Sequence, residues 1–152
     1  MDKIGLPHVG TYRDAADQQT LRVLKTNGIK VAYLSYIYGT NGIPVPAGKE
    51  YLVNLIDENL MKDEIGRAKK ESDIVVMSLH WGNEYQRFPT EKQKELAQLP
   101  VNEGVDKLFG HHPHVLQPME WMKVSDGRTA LVIYSLGNFL SGQMWDYKDI
   151  GS

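Results

Sequence analysis

The 152-residue sequence contains no cysteine. Disulfide frameworks, thiolate metal sites and cysteine nucleophiles are excluded together. The compartment stays open, because a cysteine-free protein works on either side of a membrane. Long hydrophobic runs are missing too, and none approaches the ~20 apolar residues that span a bilayer. No export leader opens the chain, since Met1-Asp2-Lys3 runs straight into polar, turn-rich sequence. An export signal, if the protein has one, is expected outside these residues. No excess of one charge exists either: 17 Lys and Arg face 19 Asp and Glu, a formal charge of -2. Electrostatic capture of nucleic acid or of an anionic membrane by this chain is therefore not expected. Phosphate-cradling and serine-elbow signatures of the G-x-x-x-x-G-K-[ST], G-x-G-x-x-G and G-x-S-x-G kinds are absent, which removes support for nucleotide-driven chemistry and for a serine hydrolase.

With 41% hydrophobic and 24% charged residues the composition is that of an ordinary globular chain. Its length fits one domain over residues 1–152. No internal repeat or low-complexity segment interrupts it. Leu21 to Tyr36 holds two apolar-rich runs joined at Asn27-Gly28, a pair suited to two positive φ angles, so a β-hairpin is expected. Gly39 to Lys49 is rich in Gly and Pro and reads as a loop. Asp57 to Glu71 places Leu60, Met61, Ile65 and Ala68 at helical spacing, with the charges from Lys62 to Lys70 on a solvated face. Asp73 to Leu79 is a nearly continuous apolar run and predicts a strand buried on both faces. Thr90 and Gln93 predict a capping box opening a second helix, with Leu96, Ala97 and Leu99 inward and Pro100 kinking or stopping it. Gly104 to Gly110 reads as a turn and a short strand. Val115 to Val124 and Thr129 to Leu136 flank Asp126-Gly127, a second hairpin signal. Helices alternating with buried strands predict an α/β fold with added hairpins.

Two chemically rich segments each follow a strand: His80-Trp81-Gly82, and Gly110-His111-His112-Pro113-His114. Ligands of open α/β sheets gather at the carboxyl ends of strands, so the two segments are expected to meet. His112 and His114 form an H-x-H pair whose side chains share a side on an extended backbone, stiffened by Pro113. His111 then points elsewhere, and His80 adds a further nitrogen. A single strand-end histidine is more often a hydrogen-bonded structural residue than a ligand. Three within four positions favour contact with a metal or a phosphate, because burying them unpaired costs free energy. Imidazole suits zinc, iron, nickel and copper, and manganese prefers more oxygen. Glu84 is a ligand, a general base or, more simply, a solvated loop carboxylate. Trp81, Tyr85 and Trp121 line a cleft or pack. Asn138 donates to an oxyanion or forms a turn. Glu120 is placed to orient a histidine.

Several of these blocks together resemble a known family. They are Ser78 to Tyr85, Pro89, Gln93, Leu96-Ala97, Gly104-Val105-Asp106, Gly110 to Pro118 and Tyr134 to Phe139, with Gly28 to Ala32 and Tyr36 to Pro44 fitting the same pattern. The chain is identified as similar to the bacterial, CapA-like capsule-synthesis proteins, which serve poly-γ-glutamate capsule biosynthesis, over nearly its whole length. The resemblance implies a partial calcineurin-like metallophosphoesterase sandwich, an α/β fold with mixed sheets and β-hairpins. It implies divalent metal ions (manganese, iron or zinc), two in the complete protein, and hydrolase chemistry on a phosphoester. His80 matches that pattern's late lone histidine. Its final G-H-x-H matches less cleanly: aligned on H-x-H it gives His112 and His114, the preferred pair, and aligned on Gly-His it gives His111. His80 and Asn138 are the candidate catalytic residues.

The early motifs of the pattern are missing. No Asp-x-His, Gly-Asp or Asn-His segment precedes His80, and His8 in Leu6-Pro7-His8-Val9-Gly10 fits none of them. The chain therefore resembles the C-terminal part of a family member. Alone it is expected to bind metal weakly, to hydrolyse little, and to leave strand edges or apolar faces uncovered, with dimerisation or aggregation as the result. The resemblance further implies an anionic substrate such as poly-γ-glutamate, partners in the synthesis and export machinery, and a place on the outer face of the cytoplasmic membrane. A non-catalytic polymer-binding or export component is the competing function, because fold alone does not establish chemistry.

Overall fold

The structure is a computed structural model that describes residues 4–139 and 141–142. Its elements run α1 (Ala15–Gln18), β1 (Arg22–Thr26), β2 (Ile29–Ile37), α2 (Glu58–Glu71), β3 (Ile74–His80), α3 (Glu91–Glu103), β4 (Lys107–His111), β5 (Met119–Lys123) and β6 (Thr129–Ile133). The strands form one six-stranded mixed sheet in the order β1-β2-β3-β4-β6-β5. β2, β3, β4 and β6 are parallel, and the antiparallel edges β1 and β5 are hairpin partners of β2 and β6. Both hairpins form at the expected dipeptides. Asn27 (φ 49°) and Gly28 (φ 85°) turn the first, and Gly127 (φ 89°) lies in the second.

Helix boundaries follow local chemistry. The Asp57 carboxylate caps α2 by accepting from the Leu60 amide at 2.8 Å. At α3 the expected capping box is present: Thr90 Oγ1 accepts from Gln93 N at 3.2 Å and Gln93 Oε1 accepts from Thr90 N at 3.0 Å. Pro100 does not stop α3, which runs on to Glu103. A proline removes one helical hydrogen bond. Here that loss falls in the last turn, where Pro100 is buried and its carbonyl accepts from Gly104 N at 3.0 Å.

The core lies on one face of the sheet. Ala32, Leu34 and Tyr36 of β2, Val75, Met77 and Leu79 of β3, Leu108 of β4 and Val132 of β6 pack in one cluster with Met61, Ile65 and Ala68 of α2 and Ala97 and Val101 of α3. The expectation that β3 is buried on both faces is corrected. Its residues alternate between half-buried and buried, because both helices join this one cluster and most of the second face is left bare by the described residues. The apolar run hid that alternation, since Ile74 and Val76 are as apolar as the residues that face the core.

The second face carries Leu24, Val31, Tyr33, Ile74, Val76, Phe109, Leu131, Ile133, Met119 and Trp121, all half-buried or exposed. Residues 6–9 lie near Leu24 and Tyr33 at its β1–β2 corner, and Val9, Gly10 and Thr11 continue along β2 past Ser35 to the cavity beside His80 and His111. The strand charges on this face are all cationic: Arg22, Lys107 and Lys123. Arg22 is paired with Asp17, and the Lys107 ammonium sits 4.6 Å from the centre of the Trp121 ring.

The apolar stripe of α2 also holds a carboxylate, against the expectation of a wholly solvated charged face. Glu64 is 2% exposed, accepts a hydrogen bond from the Tyr36 hydroxyl, and lies 3.7 Å from Arg67 Nη2. Burial pushes its carboxyl above the usual range, with the Tyr36 bond and the Arg67 charge pulling back.

Candidate functional site

The site forms where β3 and β4 end. The two strands run parallel with His80 opposite His111, so both side chains leave the sheet on its bare face. The backbone holds these ends in place: Tyr38 N donates to the His80 carbonyl at 3.0 Å and Trp81 N to the His111 carbonyl at 3.1 Å. His80 and His111 share a cavity of about 370 Å³ with Ser35, Ser78 and Asn54.

Past His111 the chain is not extended, which corrects the simple H-x-H geometry. His112 (φ 98°) and His114 (φ 61°) are both left-handed, and so is Tyr85 (φ 62°) in the facing loop. Tyr85 N donates to the Pro113 carbonyl at 2.8 Å, tying the two loops together. Each such non-glycine residue costs of order 1–3 kcal/mol, and such residues tend to cluster at functional sites. The rings converge all the same. His80 and His112 lie 4.8 Å apart between centroids, and His112 and His114 6.2 Å apart.

Aromatic rings pack this group. Tyr38 stacks on His80 at 6.0 Å with planes 3° apart, and lies 4.9 Å from His112. Tyr85 stacks on His114 at 5.9 Å. Asn138 reaches the cluster through His114, with His114 Nδ1 and Asn138 Oδ1 3.0 Å apart. An amide oxygen there accepts from Nδ1–H and leaves the Nε2 lone pair free to bind. Tyr38 was absent from the sequence-based candidates. Its position after a parallel strand was the available signal, since ligands collect at those ends.

Burial holds His80, His111 and His112 below the ordinary imidazole range. For His80 the neighbouring histidines push the same way, and for His112 the Glu84 carboxylate opposes the shift. Near neutral pH the three rings are therefore uncharged, the form that donates a lone pair to a metal. The set is nonetheless incomplete. Among the described residues no three His, Asp or Glu side chains converge closely enough to hold an ion. Glu84 is exposed. Two dications among neutral imidazoles would lack offsetting negative charge. The residues present do not fit a complete two-metal centre.

The other candidates divide. Glu120 orients no histidine, contrary to expectation, because its carboxylate accepts from the Tyr134 hydroxyl at 2.7 Å on the covered face. Trp81 is a core residue whose indole N–H donates to the Tyr134 carbonyl at 2.9 Å. Trp121 is exposed on the bare face, and His8 lies beside Arg22 and Tyr33.

The architecture is a mixed α/β sheet with α2 and α3 on one face and histidines at its parallel strand ends. The NAD nucleotidase NadN of Haemophilus influenzae shares it with a TM-score of 0.53 and 15% identity, over 82% of this chain and 27% of that one. A hypothetical protein from Thermus thermophilus does so with a TM-score of 0.52 and 12% identity, over 84% and 42%. At these identities the likeness is one of fold.

Sequence relationships are closer. The family described as "Bacterial capsule synthesis protein PGA_cap" matches residues 1–143, and the chain belongs to that family. It is 37% identical to the PGA biosynthesis protein CapA of Bacillus subtilis (strain 168), over 94% of this chain and 37% of that protein. It is 33% identical to the capsule biosynthesis protein CapA of Bacillus anthracis, over 92% and 34%. The chain thus spans roughly a third of the length of these curated relatives.

Proposed function

We propose that the histidine cluster is the imidazole half of a two-metal, phosphoesterase-like centre in a poly-γ-glutamate capsule-biosynthesis protein. The observation that carries this reading is the grouping of His80, His112 and His114 at two parallel strand ends, with His111 in register with His80 and with His112, His114 and Tyr85 left-handed. The carboxylates that two dications need come, on this reading, from polypeptide beyond these residues, laid against the bare face. The chain by itself then holds manganese, iron or zinc weakly and hydrolyses little.

Elemental analysis and a phosphodiester assay test this on two samples, the chain and a polypeptide of the relatives' full length. The expected result is metal and manganese-dependent hydrolysis in the longer protein only, with both lost in His80→Ala. Hydrolysis by the 152-residue chain at the rate of the longer protein would overturn the proposal.

A second reading is favoured by the lack of carboxylates among the converging residues. The cluster then binds an anionic polymer without cutting it, as part of the synthesis and export machinery. Metal-free, inactive protein at full length would support this second reading. On either reading the protein works at the outer face of the cytoplasmic membrane, a location that the family relationship supports. Among the described residues no helix is long and apolar enough to cross a membrane.

A further inference from the structure

A second cavity, of about 360 Å³, opens beside the histidine cluster, within the range of small-molecule sites. Its apolar lining is Ile56, Trp81 and Leu96, with Asn83 and Lys92 among the polar residues. Tyr38 lines it as well, and the same ring stacks on His80, so cavity and cluster share one aromatic wall.

The polar groups in this cavity differ in availability. Gln93 is spent: its Oε1 accepts from Thr90 and its Nε2 donates to Gln117 at 3.0 Å. That bond helps hold α3 against the loop after β4. Gly82 has φ +84°, and a Cβ there would meet the Gln93 amide at 2.7 Å, so glycine is required where the cavity passes the end of β3. Asn83 donates to Gln86 at 3.2 Å, and no described residue donates to its amide oxygen. Among the described residues that line the space, Lys92 alone is charged. It makes no ion pair with any described residue, whereas Lys94 is bound to Glu91 at 2.7 Å. An apolar floor with an amide oxygen and a cation that no described residue engages matches a flexible chain of methylenes and amides that bears carboxylates.

We propose that this cavity is a binding subsite for a carboxylate-bearing chain. Lys92 pairs with one carboxylate, Asn83 takes an amide hydrogen, the floor takes the methylenes, and Tyr38 leads the chain towards the histidines. The proposal rests on the reading of the cluster as a site that handles an anionic polymer.

The test is a calorimetric titration of the chain with a γ-linked glutamate hexamer in metal-free buffer. Binding is expected to weaken at least tenfold in Lys92→Glu, to be unchanged in Lys94→Glu, and to fail with a γ-amide hexamer that carries no carboxylates. Leu96→Trp, which fills the cavity, should also abolish binding, with an unaltered circular dichroism spectrum showing that the variant folds. No binding to the wild-type chain, equal binding by Lys92→Glu, or equal binding of the neutral hexamer would each overturn the proposal. Because the readout needs neither metal nor turnover, it fails or holds separately from the two-metal reading.

Discussion

At the scale of the residue, Gly110 shows how close the site strands lie to their neighbours. A Cβ built there would sit 1.9 Å from the Tyr134 carbonyl oxygen and 2.5 Å from Trp81 Nε1. Those two atoms form the buried bond that anchors Trp81. Gly110→Ala should therefore break that bond and destabilise the chain by about 3 kcal/mol or more, at the upper end for overpacking. Urea unfolding measures it, and a loss below about 1 kcal/mol would contradict the argument. Titration gives a second prediction. Because burial depresses His80, His111 and His112, the unfolded chain takes up protons first as pH falls. Their contribution to stability is complete above the ordinary imidazole value of about 6.5 and is lost as pH drops through the depressed values. In metal-free buffer the urea midpoint should fall from about pH 7 to about pH 5, more steeply in the wild type than in His80→Asn. Equal slopes in the two proteins would remove histidine as the cause.

At the scale of the element, much was legible and the reasons are local. Asn27-Gly28 and Asp126-Gly127 marked hairpins because few residue pairs tolerate such turns, and Thr90 with Gln93 marked a helix start by reciprocal hydrogen bonding. What escaped depended on tertiary packing. The burial alternation of β3 was invisible because its outer residues are apolar for a surface that the described residues leave bare. The left-handed His112 and His114 could not be read, since no local rule asks for positive φ at histidine. Glu64 looked like one more surface charge on α2, yet it answers the Tyr36 hydroxyl across the core. Glu64→Ala leaves that hydroxyl unpaired and opens a cavity, and should cost about 2–4 kcal/mol. Glu64→Gln keeps an acceptor and should cost about half as much or less. Thermal unfolding of the two variants separates these outcomes, and equal losses would show that the hydrogen bond contributes little.

At the scale of the whole molecule, the bare face governs behaviour in solution. A contiguous apolar surface rimmed by Lys107 and Lys123 favours association when nothing covers it. The isolated chain should self-associate as concentration rises, and Trp121→Lys, adding a cation to that face, should shift it towards monomer. Sedimentation velocity reads both, and a clean wild-type monomer at high concentration would contradict the expectation. Such a sheet is half of a two-sided joint. A segment that covered it would add hydrophobic stabilisation while bringing new side chains to His80 and His111, so consolidation of the fold and completion of the site would be one event.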